Sequence, residues 1–232
     1  MFLKKHQDFL NENKVDIIKK TAENYLKNYT DAYQNEDGSW SCRTDLNLSY
    51  KREVSHNGEL SVKFKYVKGA FMIDGLSLTT LKGCPLAVDS FSCKNNGLTS
   101  LEYGPIVIKG RSTSGDYSAT SNKLTSIKGI AKDIPGFLYL TNNNLTKLDS
   151  TVNYVNSINI KNNPLSTLHG KPKVIKNLFW YDFGMDDETN YVVPDKPSLY
   201  EHLLMQDVKD KSYRIRGDYW VELLKSIIEL YP

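Results

Sequence analysis

The stretch that decides the fold is Phe91–Leu101, FSCKNNGLTSL. The same pattern returns as YSATSNKLTSI at 117–127, LYLTNNNLTKL at 138–148 and INIKNNPLSTL at 158–168. Each copy has two apolar residues spaced two apart, an Asn three residues later, a Leu two beyond it, and a Leu or Ile three beyond that. Apolar residues two apart form the inward face of a short strand. The pairs Phe91/Cys93, Tyr117/Ala119, Leu138/Leu140 and Ile158/Ile160 are therefore read as core. Asn96, Asn122, Asn143 and Asn163 fall where the chain must leave the strand. A buried bend leaves backbone N–H and C=O groups without partners, and an Asn amide can serve both kinds. Stacked copies predict an asparagine ladder. No single turn can bury its apolar face alone, so the copies must stack as a solenoid.

Working outward, FMIDGLSLTTL at 71–81 keeps every apolar position but places Leu76 where Asn is expected. LFWYDFGMDDE at 178–188 keeps Leu178 and Trp180, and Leu46 with Leu48 begins a plausible first turn. Starts at 46, 71, 91, 117, 138, 158 and 178 give spacings of 25, 20, 26, 21, 20 and 20. The spacing of 26 contains an insertion, IVIKGRSTSG around Ile106–Gly115, expected to leave the solenoid as a loop. Upstream, residues 2–10 and about 13–31 read as helix. The stripe Val15, Ile18, Ala22, Tyr25, Leu26 and Tyr29 is expected to cover the open end of the stack. NEDGS (35–39) is a turn by composition. Segments 40–50 and 59–67 read as strands or a hairpin joined through 51–58. After Met185 the chain turns acidic and proline-bearing. Short helices are expected from Ser198 to about Gln206 and from Tyr219 to Leu230, with a polar turn, DVKDKSYRIRGD, between them.

These readings divide the chain into an N-terminal helical cap (1–34), a solenoid (35–185) and a C-terminal helical cap (186–232). The predicted fold class is an α/β solenoid: a right-handed stack of short parallel strands with helical caps at both ends.

The repeats resemble leucine-rich repeats of the short bacterial type, with a period near 20. More closely they resemble the repeat proteins encoded by many tailed phages, in which runs like CSNNxLTSLxGCP recur. NEDGSW (35–40), DLNLS (45–49), FKYVKGAF (64–71), TTLKGCP (79–85) and SCKNNGLTSLEYGP (92–105) carry that likeness, which covers roughly 35–185. The resemblance implies a leucine-rich-repeat-like fold and a non-enzymatic, protein-binding role. It suggests a phage accessory protein in the host cytoplasm that engages a host bacterial protein, such as a defence factor. The alternative is a structural or assembly component of the particle that binds another phage protein. The family carries no catalytic residues to transfer.

Composition narrows the chemistry. The formal net charge is only +3 and the lysines are interspersed with acids, unlike the clustered basic face of a nucleic-acid binder. No run approaches eighteen apolar residues, so no spanning helix is expected. MFLKKHQDFLNENK has charge inside its apolar part and lacks the pattern of a secretory signal. Three cysteines are odd in number, and Cys93 reads as a small core residue. His6, His56, His169 and His202 lack metal-ligand spacing, and there is no glycine-rich phosphate loop. No cofactor, metal or catalytic residue is therefore assigned. A site built from Lys109, Arg111 and Asp116 is the enzymatic alternative.

Function is expected on the strand face opposite the core, where the residues between core positions point. The middle turns offer small polar residues there. The later turns add Phe137, Tyr139, Phe179 and Tyr181. Grouped exposed aromatics are typical interface anchors, and with Lys94 and Lys161 they form the candidate partner-binding set. Beside the C-terminal unit, Phe179 and Tyr181 fit burial under a cap. Phe137 and Tyr139 fit either role.

Overall fold

A computed structural model describes residues 2–111, 113–149, 152–165, 172, 174–179 and 214–216; for 2–13, 174–179 and 214–216 it describes the backbone alone. The chain forms a parallel β-solenoid of about six turns. Its main sheet has eight strands, all parallel except the last. All seven repeat starts read from the sequence lie side by side in this sheet. Leu46 pairs with Phe71, Phe71 with Phe91, Phe91 with Tyr117, Tyr117 with Leu138, Leu138 with Ile158, and Ile158 with Leu178.

The inward residues stack from turn to turn. Phe64, Phe71, Phe91 and Tyr117 form a row of rings with successive centroids 5.1, 6.1 and 5.0 Å apart. Cys93, Ala119, Leu140 and Ile160 make the second row, and Leu98, Leu124, Leu145 and Leu165 line the far wall. Burial holds the Cys93 and Cys84 thiols in their neutral form by pushing their pKa values up, consistent with a packing role. Within this core the Tyr117 hydroxyl is buried with no hydrogen-bond partner among the described residues. Gly104 makes room for it, since a Cβ there would lie 2.9 Å from the hydroxyl. Removing an unsatisfied buried hydroxyl relieves a desolvation cost of about 1–3 kcal/mol. Tyr117→Phe is therefore expected to raise the melting temperature by a few degrees in a thermal scan.

The ladder forms, and its hydrogen bonds explain the repeat. Asn143 Nδ2 donates to the Leu140 carbonyl of its own turn (2.9 Å) and to the Ala119 carbonyl of the turn before (3.0 Å). Its Oδ1 accepts from Leu124 N–H of the turn before (3.1 Å). Asn163 repeats this on Ile160, Leu140 and Leu145, and Asn122 on Ala119, Cys93 and Leu98. Asn96 serves Cys93, Ile73 and Leu78 in the same way. Each ladder Asn thus completes the turn that precedes it. Leu76 can stand at the ladder position because the first turn closes differently. There a 3₁₀ turn over Arg52–Val54 follows the strand, and the Leu48 carbonyl already accepts from Lys51 N–H (3.1 Å).

The residue before each ladder position has a left-handed backbone: Asn95, Ser121, Asn142 and Asn162 have φ of +53° to +56°, and Gly75 has +65°. Asn and Gly tolerate this region better than most residues. This explains the Asn-Asn doublets at 95–96, 142–143 and 162–163.

Several expectations change. Residues 2–10 and 13–31 form one continuous helix, Phe2–Tyr29. It touches the core through Ala22, Leu26 and Tyr25, whereas Val15 and Tyr29 of the expected stripe are exposed. Trp40–Cys42 and Phe64–Val67 pair in parallel, which excludes a hairpin between them. The insertion does not leave the stack as a whole. Val107–Ile108 pairs in parallel with Ala87–Val88, and only the residues between Gly110 and Gly115 make the excursion. The expected polar turn DVKDKSYRIRGD contains a strand, Arg214–Arg216, antiparallel to Val174–Phe179, which covers that edge of the sheet. Alternating Tyr213, Arg214, Ile215 and Arg216 is the strand signal that was missed. The helices at 198–206 and 219–230, and so the C-terminal helical cap, lie outside the described residues. After each ladder Asn the described chain runs through turns rather than helices. The described residues therefore show a parallel β-solenoid with one α-helix, at its N-terminal end.

Candidate functional site

The aromatic pair is placed by a bulge. Across the pairing of Asp133–Tyr139 with Tyr154–Asn159 the register advances three residues from Ile134 to Phe137, but two from Val155 to Ser157. Pro135 and Gly136 occupy the irregularity. A bulge re-aims the side chains that follow it. Phe137 N–H donates to Asp116 Oδ1 at 2.7 Å, and Gly136 N–H to the Gly115 carbonyl at 3.1 Å. A side chain at Gly136 would collide with Asp116 and with the Ser114 carbonyl. The bulge and the Gly110–Gly115 excursion thus support each other. The excursion is tied down by Ser90, whose Oγ accepts from the N–H groups of Gly115 and Asp116 (both 3.0 Å) and shares a hydrogen bond with the Thr113 hydroxyl.

Phe137 and Tyr139 point away from the core, as read from the sequence. Their rings stack with centroids 5.2 Å apart and planes 11° from parallel. Both are half-buried. Ser157 beside Phe137 and Ser118 beside Tyr139 are only 1% and 5% exposed. Small residues on an outward face become that inaccessible only when larger neighbours lie over them. The pair is therefore a platform standing on a floor of small side chains. Partial burial, reinforced by the Asp116 carboxylate, raises the Tyr139 pKa. The phenol keeps its proton and can donate a hydrogen bond.

The remaining candidates take separate places. Lys94 and Lys161 occupy equivalent positions two residues past Ser92 and Asn159. Thr120 and Thr141 of the intervening turns separate them, roughly 14 Å apart at about 4.8 Å per strand. Lys94 N–H donates to Asp74 Oδ1 (2.8 Å) and Lys161 N–H to Asn159 Oδ1 (3.1 Å), which fixes both backbones. Phe179 pairs through its backbone with Asn159, next to the platform; its side chain and Tyr181 lie outside the described residues. Lys109, Arg111 and Asp116, the enzymatic alternative, each have a place of their own. Lys109 Nζ lies over the Tyr66 ring, 5.4 Å from its centroid, Asp116 is committed to Phe137, and Arg111 is exposed. Among the described residues no group of three or more His, Cys, Asp or Glu could hold a metal ion, and no helix is long and apolar enough to cross a membrane.

No family model, curated protein or solved structure matches the chain.

Proposed function

We propose that the protein is a non-enzymatic binding module for another protein, with the outer face of the main sheet as its surface and Phe137 and Tyr139 as anchors. The observation that carries this reading is the stacked, half-exposed aromatic platform raised by the bulge on the outer face of the sheet. Rigid aromatics offer large contact area at little conformational cost and dominate protein interfaces. Lys94 and Lys161 would stand in the polar rim, where charges set orientation and encounter more than affinity. The phage-like phrasing of the repeats favours a host bacterial protein, including a defence factor, met in the host cytoplasm. The leucine-rich-repeat assignment rests on the same phrasing. Fold alone does not fix function.

The test is affinity capture from bacterial lysate with the full chain, followed by affinity and melting measurements. Phe137→Ser with Tyr139→Ser should weaken binding about thirtyfold, the equivalent of about 2 kcal/mol, while melting near the wild type. Leu140→Ser should lower the melting point, because it loses ~2–5 kcal/mol of packing and buries a hydroxyl. A double variant that melts as early as Leu140→Ser makes the pair structural. One that binds unchanged moves the site elsewhere, and no stoichiometric partner at all sinks the reading.

A further inference from the structure

A second surface lies beside the main sheet, where Ala87–Val88 leads through Asp89 into the strand Ser90–Ser92. Leu86, Ile106 and Val107 are 65%, 53% and 45% exposed. They are contiguous, because Ile106 N–H donates to the Leu86 carbonyl (3.0 Å) and Val107 pairs with Ala87. Tyr103, 62% exposed, flanks them under Lys82, whose Nζ is 5.9 Å from the ring centroid. Leu86 also lines a cleft of about 910 Å³ with Lys19, Lys63, Lys65 and Lys82, of which Lys65 is paired with Asp37 (3.2 Å) and Lys82 with Glu59 (3.5 Å).

Tyr103 adds an independent sign. Its backbone is left-handed (φ +69°), while the equivalent residues of the turns on either side are Gly83 and Gly129. A bulky side chain in this region is strained, and such outliers cluster at functional sites. Here the strain holds an exposed aromatic ring beside three exposed aliphatic residues.

We propose that this cleft and the apolar strip beside it dock an acidic segment of a protein partner. Carboxylates would enter the lysine-lined cleft while an apolar side chain covers Leu86 and Ile106 beside Tyr103. Charge complementarity selects an acidic occupant, and the aliphatic strip selects a peptide over nucleic acid, which offers no matching anchor. Glu59 and Glu102, paired with Lys82 and Lys128 at 3.5 Å, break up the positive field. A peptide can place its carboxylates around them, whereas a uniformly anionic membrane cannot. The surface is distinct from the Phe137–Tyr139 platform.

The experiment selects a displayed library of random 12-residue peptides on the full chain. Enriched peptides should carry several Asp or Glu around a large apolar residue, and their binding should weaken as salt rises. Lys63→Glu with Lys82→Glu, and separately Leu86→Ser with Ile106→Ser, should each weaken the best peptide at least tenfold without lowering the melting temperature. Tyr103→Gly gives the sharpest reading: it relieves the backbone, so the melting temperature holds or rises while binding falls. Phe137→Ser with Tyr139→Ser should leave this binding intact, which separates the two surfaces. The proposal is overturned by selected peptides that are not acidic, or whose binding ignores these substitutions. It is equally overturned if duplex DNA or phosphatidylserine vesicles bind the same residues more tightly than the peptides do.

Discussion

Asn143→Leu should lower stability by about 3 kcal/mol and the melting temperature by roughly 6–12 °C. The substitution removes the acceptor of Leu124 N–H, for which no other partner is seen among the described residues. It also removes donors to the Ala119 and Leu140 carbonyls. Those carbonyls keep Asn122 and Asn163 respectively, so the largest single loss is the buried Leu124 amide. Asn143→Asp separates acceptor from donor. It preserves the bond from Leu124 N–H but sets a carboxylate against two carbonyls, so it destabilises at neutral pH. Its folded-state pKa is raised, and the lost stability returns in part as pH falls and the carboxyl protonates. Thermal melts of both variants between pH 4 and 7 check this. A pH-independent Asn143→Asp melt would contradict the assigned bonds.

Gly129→Val should be comparably damaging, at about 2–6 kcal/mol. Gly129 has φ +89°, and a Cβ there would sit 2.5 Å from Glu102 Cα and 2.7 Å from Glu102 N. Backbone of the neighbouring turn cannot swing aside as a flexible side chain can, so overpacking adds to left-handed strain. Measured by chemical unfolding, the variant should fall well below Gly97→Val. Gly97 has no positive φ, and its nearest would-be contact is 3.4 Å away. Equal losses at the two sites would show that stacking distance is not the limit.

The sheet was legible in the sequence because its period is enforced by burial. A strand slipped by one residue would turn every core side chain to water, so the apolar pairs at 46, 71, 91, 117, 138, 158 and 178 mark the observed register directly. The outward direction of Phe137 and Tyr139 followed from the same alternation. Their stacking did not, because it depends on a bulge created by Pro135 and Gly136 and on an anchor, Asp116, from the previous turn. The pairing of Val107–Ile108 was hidden because the insertion begins only beyond it, and composition blurs that boundary. Arg214–Arg216 was read as polar surface because charged side chains on an edge strand look like a turn. The strip at Leu86 and Ile106 is not marked by alternation, because it precedes the short strands Ala87–Val88 and Val107–Ile108 rather than lying within a core-facing one. Their separation of twenty residues was the available signal.

The direction of the asparagine bonds gives the fold a temporal order. Each amide reaches back to the turn before it, so a turn leaving the ribosome lacks the group that completes its bend. About twenty more residues must emerge before the next Asn arrives, which at roughly 5–20 residues per second is a delay of about one to four seconds. The growing stack therefore always ends in one unfinished turn. Truncation inherits the same polarity. Removing turns from the C-terminal side strips the completing amides from the last turn that remains. Removal from the N-terminal side leaves amides with spare hydrogen-bonding capacity that water can fill.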